Sequence, residues 1–364
     1  EPTPSEPQIV APYVEGEVIV KFTPQVADMI ASVETTRGAA TRSGAVALDE
    51  VLEAIDGYQL ERVFPLDERT EARTREQGLH QWYVVRFGAG CTAEQVAQRM
   101  QALGEVQAVD FNRSIKRAYR TQATPLSVER LAAAESATRA TGAMNDPLLA
   151  AQWHLVNRGD QFCEGEQAKS VRDADVQCEG AWKRSTGDEQ VIVAVLDEGV
   201  FVDHPDLKDN IWINENEVWR SHDDNDGNGY VGDRYGYNFV RNTGITSWTS
   251  NGSTGHGTHV AGTIAAVNDN GIGCAGIAGG DAENGVKGVK IMTIQLFDGM
   301  NSSTLAMEAR AMKYAADNGA VILQCSWGYN SAKANLIMGY TPGPATEEEW
   351  ATTYPLEKEA LDYF

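Results

Sequence analysis

Residues 190–197 have the sequence QVIVAVLD, an almost unbroken apolar run that ends in a carboxylate. Such a run is typical of a strand that is buried on both faces of a parallel sheet. Two similar runs follow, GVKIMTIQLF (288–297) and AVILQCSW (320–327), with a helical pattern between them at 303–319. A strand, a helix and a second strand of these lengths form a right-handed parallel crossover. The pattern therefore predicts an α/β unit with a doubly wound parallel sheet.

The composition is that of a globular and strongly acidic chain. Its 364 residues are 42% hydrophobic, and 30 Lys and Arg stand against 52 Asp and Glu, for a formal net charge of −22. This balance argues against a nucleic-acid partner, which needs a basic face, and is compatible with cation binding. The sequence contains no apolar run long enough to span a membrane and no signal-peptide pattern.

Shifts in composition predict four segments. Residues 1–16 begin with EPTPSEPQ, a Pro-rich acidic linker that is either a processing scar or a stalk to a surface anchor. Residues 17–119 hold the strand patterns EVIVKF, QWYVVRF and VQAVDF around the helical pattern TAEQVAQRMQALG, which predicts a small α+β unit. Residues 120–146 are rich in Ala, Thr and Ser and predict a protease-sensitive connector. Residues 147–364 form the α/β unit.

The five cysteines give no metal signature. They form no C-x-x-C motif, so a zinc knuckle is not expected. Cys163 and Cys178 flank a polar, Gly-containing stretch and form either a disulfide or two free thiols. An odd number of cysteines leaves at least one thiol unpaired within the chain.

Two stretches carry candidate chemistry. Asp197 ends a buried strand, at the edge where open α/β sheets bind ligands, although an aspartate there can also cap a turn. His256 opens HGTHVAGT (256–263), at the predicted start of a helix rich in small residues. The helix dipole disfavours the protonated imidazole there, which suits a general base, but a core histidine fits equally well. A zinc site would need a further ligand beside His256 and His259.

Four stretches in this order resemble the subtilisin-like serine peptidases, or subtilases: VAVLDEGV, HPDL, GHGTHVAGT and ILQCSWG. The resemblance covers about residues 153–328. It implies the subtilisin-like fold and a catalytic triad in the chain order Asp, His, Ser. By this resemblance Asp197 orients the imidazole, His256 takes the proton of the nucleophile, and His259 is a packing residue.

The resemblance also implies a substrate-binding segment and an inhibitory propeptide. Ser326, Trp327 and Gly328 would pair with an extended peptide as an added strand. Subtilases commonly carry an amino-terminal α+β propeptide, and residues 17–119 match it in size, order and pattern. The propeptide would cap the active site as an intramolecular inhibitor until the connector is cut.

Two departures from the family pattern stand out. Most subtilases follow the triad aspartate with Thr or Ser, whereas Glu198 stands here. The Gly-Thr-Ser-Met-Ala-type nucleophile motif and the Ala-Ala-Gly-Asn-like oxyanion motif do not occur in the 364 residues. None of the serines after His256 fits the nucleophile, and two of them, Ser302 and Ser303, are predicted helix caps. We therefore expect the nucleophile and the oxyanion asparagine beyond residue 364, on a carboxyl-terminal part that completes the fold.

A calcium loop is predicted within DDNDGNGYVGD (223–233). Its D-x-D-x-N-G spacing turns alternate oxygens inward, with Gly at the sharp bend, as calcium loops do. The alternative is a solvated Asn/Asp/Gly turn. Subtilases often carry calcium loops between the Asp and His motifs, which favours a structural ion. The candidate ligands are Asp224, Asp226, Asn228, the carbonyl of Tyr230, and Asp233.

The sequence thus predicts the precursor, or zymogen, of a secreted or cell-surface serine endopeptidase. Its partners would be protein or peptide substrates, its own propeptide and the carboxyl-terminal fragment. One alternative is a degenerate subtilase that binds peptides without catalysis. A second is a calcium-stabilised interaction domain with no catalytic ancestry.

Overall fold

Two units, each built on its own β-sheet, make up this computed structural model. It describes residues 13–37, 42–57, 59–115, 117, 144–159, 170–249, 252–299, 301–327 and 344–364, with the single positions 129, 132 and 136. Within these ranges, no helix has the length and apolar character needed to cross a bilayer. Cys163, Gly328 and Ser331 lie outside the described residues.

The first unit is a four-stranded antiparallel sheet, in the order β2-β3-β1-β4, with helices packed on it. The three strands predicted for this unit are present. The predicted helix has a capping box at Thr92 and ends at Gln101, before Gly104. The strands are β1 (Glu17–Phe22), β2 (Gln59–Arg62), β3 (Trp82–Arg86) and β4 (Val106–Asp110). The helices are α1 (Pro24–Arg37), α2 (Val46–Ala54), α3 (Glu71–Glu76) and α4 (Ala93–Gln101), with a 3-10 turn at Leu79–Gln81.

The second unit contains the predicted parallel sheet. Its central strand has a parallel neighbour on each side, and one of these neighbours pairs with a further parallel strand on its other edge. The strands are β5 (Ile192–Glu198), β6 (Gly236–Asn238), β7 (Gly280–Asp281), β8 (Val286–Lys287), β9 (Lys290–Asp298), β10 (Asn301–Ser302) and β11 (Ile322–Cys325). The helices are α5 (Cys178–Trp182), α6 (His256–Ala265), α7 (Leu305–Asp317), α8 (Glu347–Thr353) and α9 (Pro355–Tyr363), with 3-10 turns at Leu149–Ala151 and Lys208–Asn210. β5 is the central strand, with β9 and β11 beside it and β6 beyond β9.

The two faces of β5 pack against different helices. Val193 and Val195 belong to the core that includes Ala261 of α6. The alternate residues Ala194 and Leu196 belong to the core that includes α7 and α9. Because successive side chains of a strand point to opposite faces, helices cover the sheet on both sides, as a doubly wound fold requires. The predicted fold class is confirmed.

The sheet of the first unit is covered on one face by helices of the second unit. Ile19 and Trp82 belong to the same core as α7 and α9, whereas their neighbours Val18 and Tyr83 face helices of their own unit. Glu359 of α9 accepts a hydrogen bond of 2.8 Å from the Trp82 indole and pairs with a lysine of β1 at 2.6 Å. The two units therefore share one apolar core.

One local prediction is wrong. Helix α7 begins at Leu305 with Thr304 at its N-cap position, so Ser302 and Ser303 do not cap it. The carbonyl of Ser303 accepts a hydrogen bond of 2.9 Å from the backbone N–H of Ile115. This pairing with the first unit holds the residues before the helix in an extended conformation, so the first helical turn starts at Leu305.

Candidate functional site

Asp197 and His256 are in direct contact at the carboxyl end of β5. Nδ1 of His256 lies 3.0 Å from Oδ1 and 2.9 Å from Oδ2 of Asp197. Asp197 is fully buried. His256 is the first residue of α6 and follows Gly255, whose φ of +78° lies in the left-handed region. A strand end and a helix start thus fix the carboxylate and the imidazole against each other.

Gly257 allows α6 to approach β5 this closely. A Cβ atom at this position would lie 2.4 Å from the carbonyl oxygen of Glu198, closer than real Cβ contacts allow. Phe201, just after β5, donates its backbone N–H to the hydroxyl of Thr258 at 3.0 Å. The small residue and this hydrogen bond together bring the imidazole within reach of the strand end.

Glu198 is buried beside this pair and has a partner that the sequence did not indicate. Its side chain is fully buried and forms an ion pair with the guanidinium of Arg117. It also accepts a hydrogen bond of 2.9 Å from the backbone N–H of Thr254. The charge of this second carboxylate is therefore compensated by a residue at the carboxyl end of the first unit.

Ser326 and Trp327 leave β11 at the same edge of the sheet. The indole of Trp327 donates to the carbonyl of Leu196 at 3.0 Å, which ties this segment to the residue before Asp197. Its backbone pairs with Arg117 in an antiparallel bridge. Trp327, in the described part of the predicted substrate segment, thus already pairs with the backbone of Arg117. His259, expected to be a packing residue, is exposed on α6 in the described structure.

The predicted calcium loop contains a compact group of carboxylates. Oxygens of Glu217, Asp226 and Asp233 lie within 4.8 Å of one another. Asn228 lies beside them, but its side-chain nitrogen donates to Asp233 at 3.0 Å while its side-chain oxygen accepts from the backbone N–H of Tyr230 at 2.7 Å. Glu217 is 1% exposed and Asp233 is fully buried. Glu217 was missed because it precedes the D-x-D-x-N-G motif and lies outside its spacing.

One of the predicted ligands is placed differently. Asp224 accepts hydrogen bonds from the backbone N–H groups of Gly227 (2.8 Å) and Gly229 (2.7 Å) and is not part of the carboxylate group. The ring of Tyr230, whose carbonyl is the predicted ligand, packs among aromatic side chains, including Tyr237 and Tyr314. Asp224 therefore shapes the turn, as it would in a loop without an ion.

The electrostatics of this group favour a cation. Burial raises the pKa of Asp233 to about 6, the hydroxyl of Tyr314 lowers it, and the charges of Asp226 and Glu217 raise it further. Burial also raises the pKa of Glu217. Carboxylate and amide oxygens are hard ligands of the kind that Ca²⁺ prefers. The donor set therefore fits a hard divalent cation, which would stabilise three carboxylates that burial and mutual repulsion disfavour.

The fold and this site define an α/β unit with an aspartate–imidazole pair at the carboxyl edge of its sheet. Comparison with known proteins gives a matching family: the model of the subtilase family matches residues 188–351. These residues are thus similar to subtilases.

Individual relatives are similar to parts of the chain. Subtilisin-like protease 1 of Plasmodium falciparum (isolate 3D7) is 45% identical over 86 residues, which are 23% of this chain and 12% of that protein. The halolysin-like extracellular serine protease Nep of Natrialba magadii is 32% identical over 153 residues, which are 42% of this chain and 23% of the relative. The chain thus spans less than a quarter of the length of either relative.

The fold also matches that of a solved structure. Fervidolysin of Fervidobacterium pennivorans superposes with a TM-score of 0.50 at 19% identity, over 96% of this chain and 38% of that chain. Because the identity is low, the likeness concerns the fold.

Proposed function

We propose that this chain is the amino-terminal part of a subtilisin-like serine endopeptidase precursor. The observation that carries the proposal is the contact of His256 Nδ1 with both carboxylate oxygens of Asp197. An Nδ1–H that donates to the carboxylate leaves Nε2 as the nitrogen that takes a proton. Asp197 would fix this tautomer and stabilise the imidazolium that forms.

The reaction would be acyl transfer to a serine. His256 would remove the hydroxyl proton as the serine attacks a peptide carbonyl, and would then protonate the leaving amine. Water would hydrolyse the acyl-enzyme in a second, analogous step. Since no nucleophile motif occurs in the 364 residues, we expect the serine outside them.

The first unit would serve as the propeptide. We assign residues 17–119 to it, 120–146 to the processing region and 147–364 to the catalytic unit, after the linker at 1–16. The shared core of the two units and the pairing of Arg117 with Trp327 support this role. We also propose export from the cell, because one relative is named as an extracellular protease.

A structural calcium ion is part of the proposal. Glu217, Asp226, Asn228 and Asp233 would hold it, and its role would be to stabilise the loop between the Asp and His motifs. The proposed reaction has no step at the ion.

Labelling with a fluorophosphonate tests the function. The product of the complete gene is treated with the probe, digested, and the labelled peptide is located by mass spectrometry. We expect a labelled serine outside residues 1–364, with peptidase activity reduced on the order of 10⁴-fold in Asp197→Asn, because the wrong imidazole tautomer is then favoured. Glu189→Gln, an exposed change of the same kind, is the control.

The second candidate is a peptide-binding protein without catalysis, which the missing nucleophile motif favours. A complete protein that binds peptides, takes up no label and cleaves no peptide would replace the peptidase proposal with this one.

A further inference from the structure

The carboxyl end of the first unit places the guanidinium of Arg117 in a polar recess next to the Asp197–His256 pair. One nitrogen pairs with the carboxylate of Glu198 and lies 3.3 Å from the carbonyl of Gly252. The other donates to the carbonyl of Gly299 at 2.8 Å. A carboxylate and two carbonyls thus surround one planar cation, and each acceptor matches a hydrogen-bond donor of that cation.

Glu198 requires such a cation. Its carboxylate is fully buried, and a buried charge without a counter-charge is strongly unfavourable. Thr254 supplies two hydrogen-bond donors but no charge. Among the described residues, Arg117 is the basic side chain that forms an ion pair with it. Any peptide that replaces this end of the first unit must therefore either supply a cation or leave the Glu198 carboxylate without a counter-charge.

The carboxyl end of the first unit pairs with the second unit through backbone hydrogen bonds. The carbonyl of Arg113 accepts from the backbone N–H of Leu305 at 2.9 Å, and the N–H of Ile115 donates to Ser303 at 2.9 Å. Arg117 pairs with Trp327 in an antiparallel bridge. Backbone pairing of this kind is also how an extended peptide binds by strand addition.

We propose that Glu198 forms a specificity subsite for a basic residue in protein and peptide substrates, and that Arg117 is its intramolecular occupant before processing. This inference rests on the proposed function. Arginine is favoured over lysine, because the carbonyls of Gly252 and Gly299 accept from separate N–H groups of a planar guanidinium.

The test compares matched peptides on the complete protein. Each pair differs by one residue, arginine against norleucine, at successive positions before the cleaved bond. At one position we expect kcat/KM for the arginine peptide to exceed that of its partner by on the order of 100-fold, the usual effect of a buried charge pair at an interface. Glu198→Gln should reduce this ratio to about one, and the exposed control Glu189→Gln should keep it. A wild-type ratio near one at every position would overturn the subsite.

A variant at the end of the first unit gives a second, independent measurement. Arg117→Leu should slow separation of the first unit from the second in the complete protein, followed by intact mass over time. Unchanged separation in Arg117→Leu, together with an unchanged peptide ratio in Glu198→Gln, would identify the ion pair as structural only.

The outcomes separate the two proposals. Fluorophosphonate labelling without an arginine preference refutes the subsite and keeps the peptidase. If no serine is labelled, equilibrium binding of the same peptide pairs decides whether Glu198 forms a subsite for a basic residue. A preference for the arginine peptide that is lost in Glu198→Gln would then retain the subsite, and equal binding would refute it.

Discussion

Arg69 of the first unit lies 3.1 Å from Asp226, one of the three clustered carboxylates of the second unit. The same guanidinium pairs with Asp67 at 2.8 Å, which holds it in place. Gly229 is packed against this part of the first unit, since a Cβ atom on it would lie 2.7 Å from Pro65. The guanidinium of Arg69 and the proposed calcium ion would therefore compete for the carboxylate of Asp226.

Replacing Arg69 should strengthen calcium binding. In Arg69→Gln, we expect the calcium dissociation constant to fall a few-fold, because a partly exposed ion pair contributes about 0.2–1 kcal/mol. Isothermal titration of the chain with CaCl₂ measures the change. Arg75→Gln removes the same charge from a pair with Asp28 and is the control. Equal affinities in both variants and the wild type would show that Arg69 does not compete with the ion.

Glu217 should be required for stabilisation by calcium. We expect the melting temperature to rise when calcium is added to the wild type, because a ligand bound to the folded state stabilises it. Glu217→Gln should lose most of this rise, since it removes one of three charged ligands. Glu215→Gln, two residues away and 76% exposed, is the matched control. A full calcium-dependent rise in Glu217→Gln would exclude Glu217 as a ligand.

The start of α6 should not tolerate a larger residue than glycine. Gly257→Ala would press a methyl group on the carbonyl of Glu198 and should cost about 1–3 kcal/mol of the free energy of unfolding. Gly262 lies on the same helix, with no heavy atom within 4 Å of an added Cβ. Gly262→Ala should therefore be neutral or stabilising by about 0.5–1 kcal/mol. Urea denaturation of both variants measures the difference, and equal effects would contradict the close approach.

Asp110 should make the stability of the chain depend on pH. Burial raises its pKa to about 6, against the opposing effect of Arg113, and the charge of Glu357 raises it further. The folded state therefore holds a proton that the unfolded state has lost above about pH 4. This stabilisation is complete below about pH 4 and is lost as the pH rises through about 6.

Removing this carboxyl should flatten the pH profile. In Asp110→Asn, the fall in the free energy of unfolding between about pH 4 and 6 should be smaller than in the wild type by on the order of 2 kcal/mol. Denaturation at several pH values measures it, with the exposed Asp28→Asn as the control. Identical profiles for Asp110→Asn and the wild type would mean that Asp110 does not titrate in this range.

The apolar runs predicted β1, β3, β4, β5, β9 and β11, whereas the short strands β2, β6, β7, β8 and β10 leave no such run and were not predicted. The pairing of Asp197 with His256 was implied by the resemblance to subtilases. From the residues alone, a turn-capping aspartate and a core histidine fitted as well.

Contacts between segments without a strand or helix pattern could not be predicted. Glu198 was recognised as unusual, but its partner Arg117 lies at the carboxyl end of the first unit, outside the strand patterns. Glu217 likewise joins Asp226 only because the loop folds back, through hydrogen bonds of its carboxylate to backbone N–H groups. Neither pairing leaves a spacing in the sequence, since the fold of intervening residues decides both.

The sheet of the first unit has its second face completed by helices that belong to the second unit. Once the two units separate, each would expose an apolar surface, and such surfaces promote aggregation and degradation. The released amino-terminal piece would then have little opportunity to return. We therefore expect activation to run in one direction only, with the first unit used once per molecule.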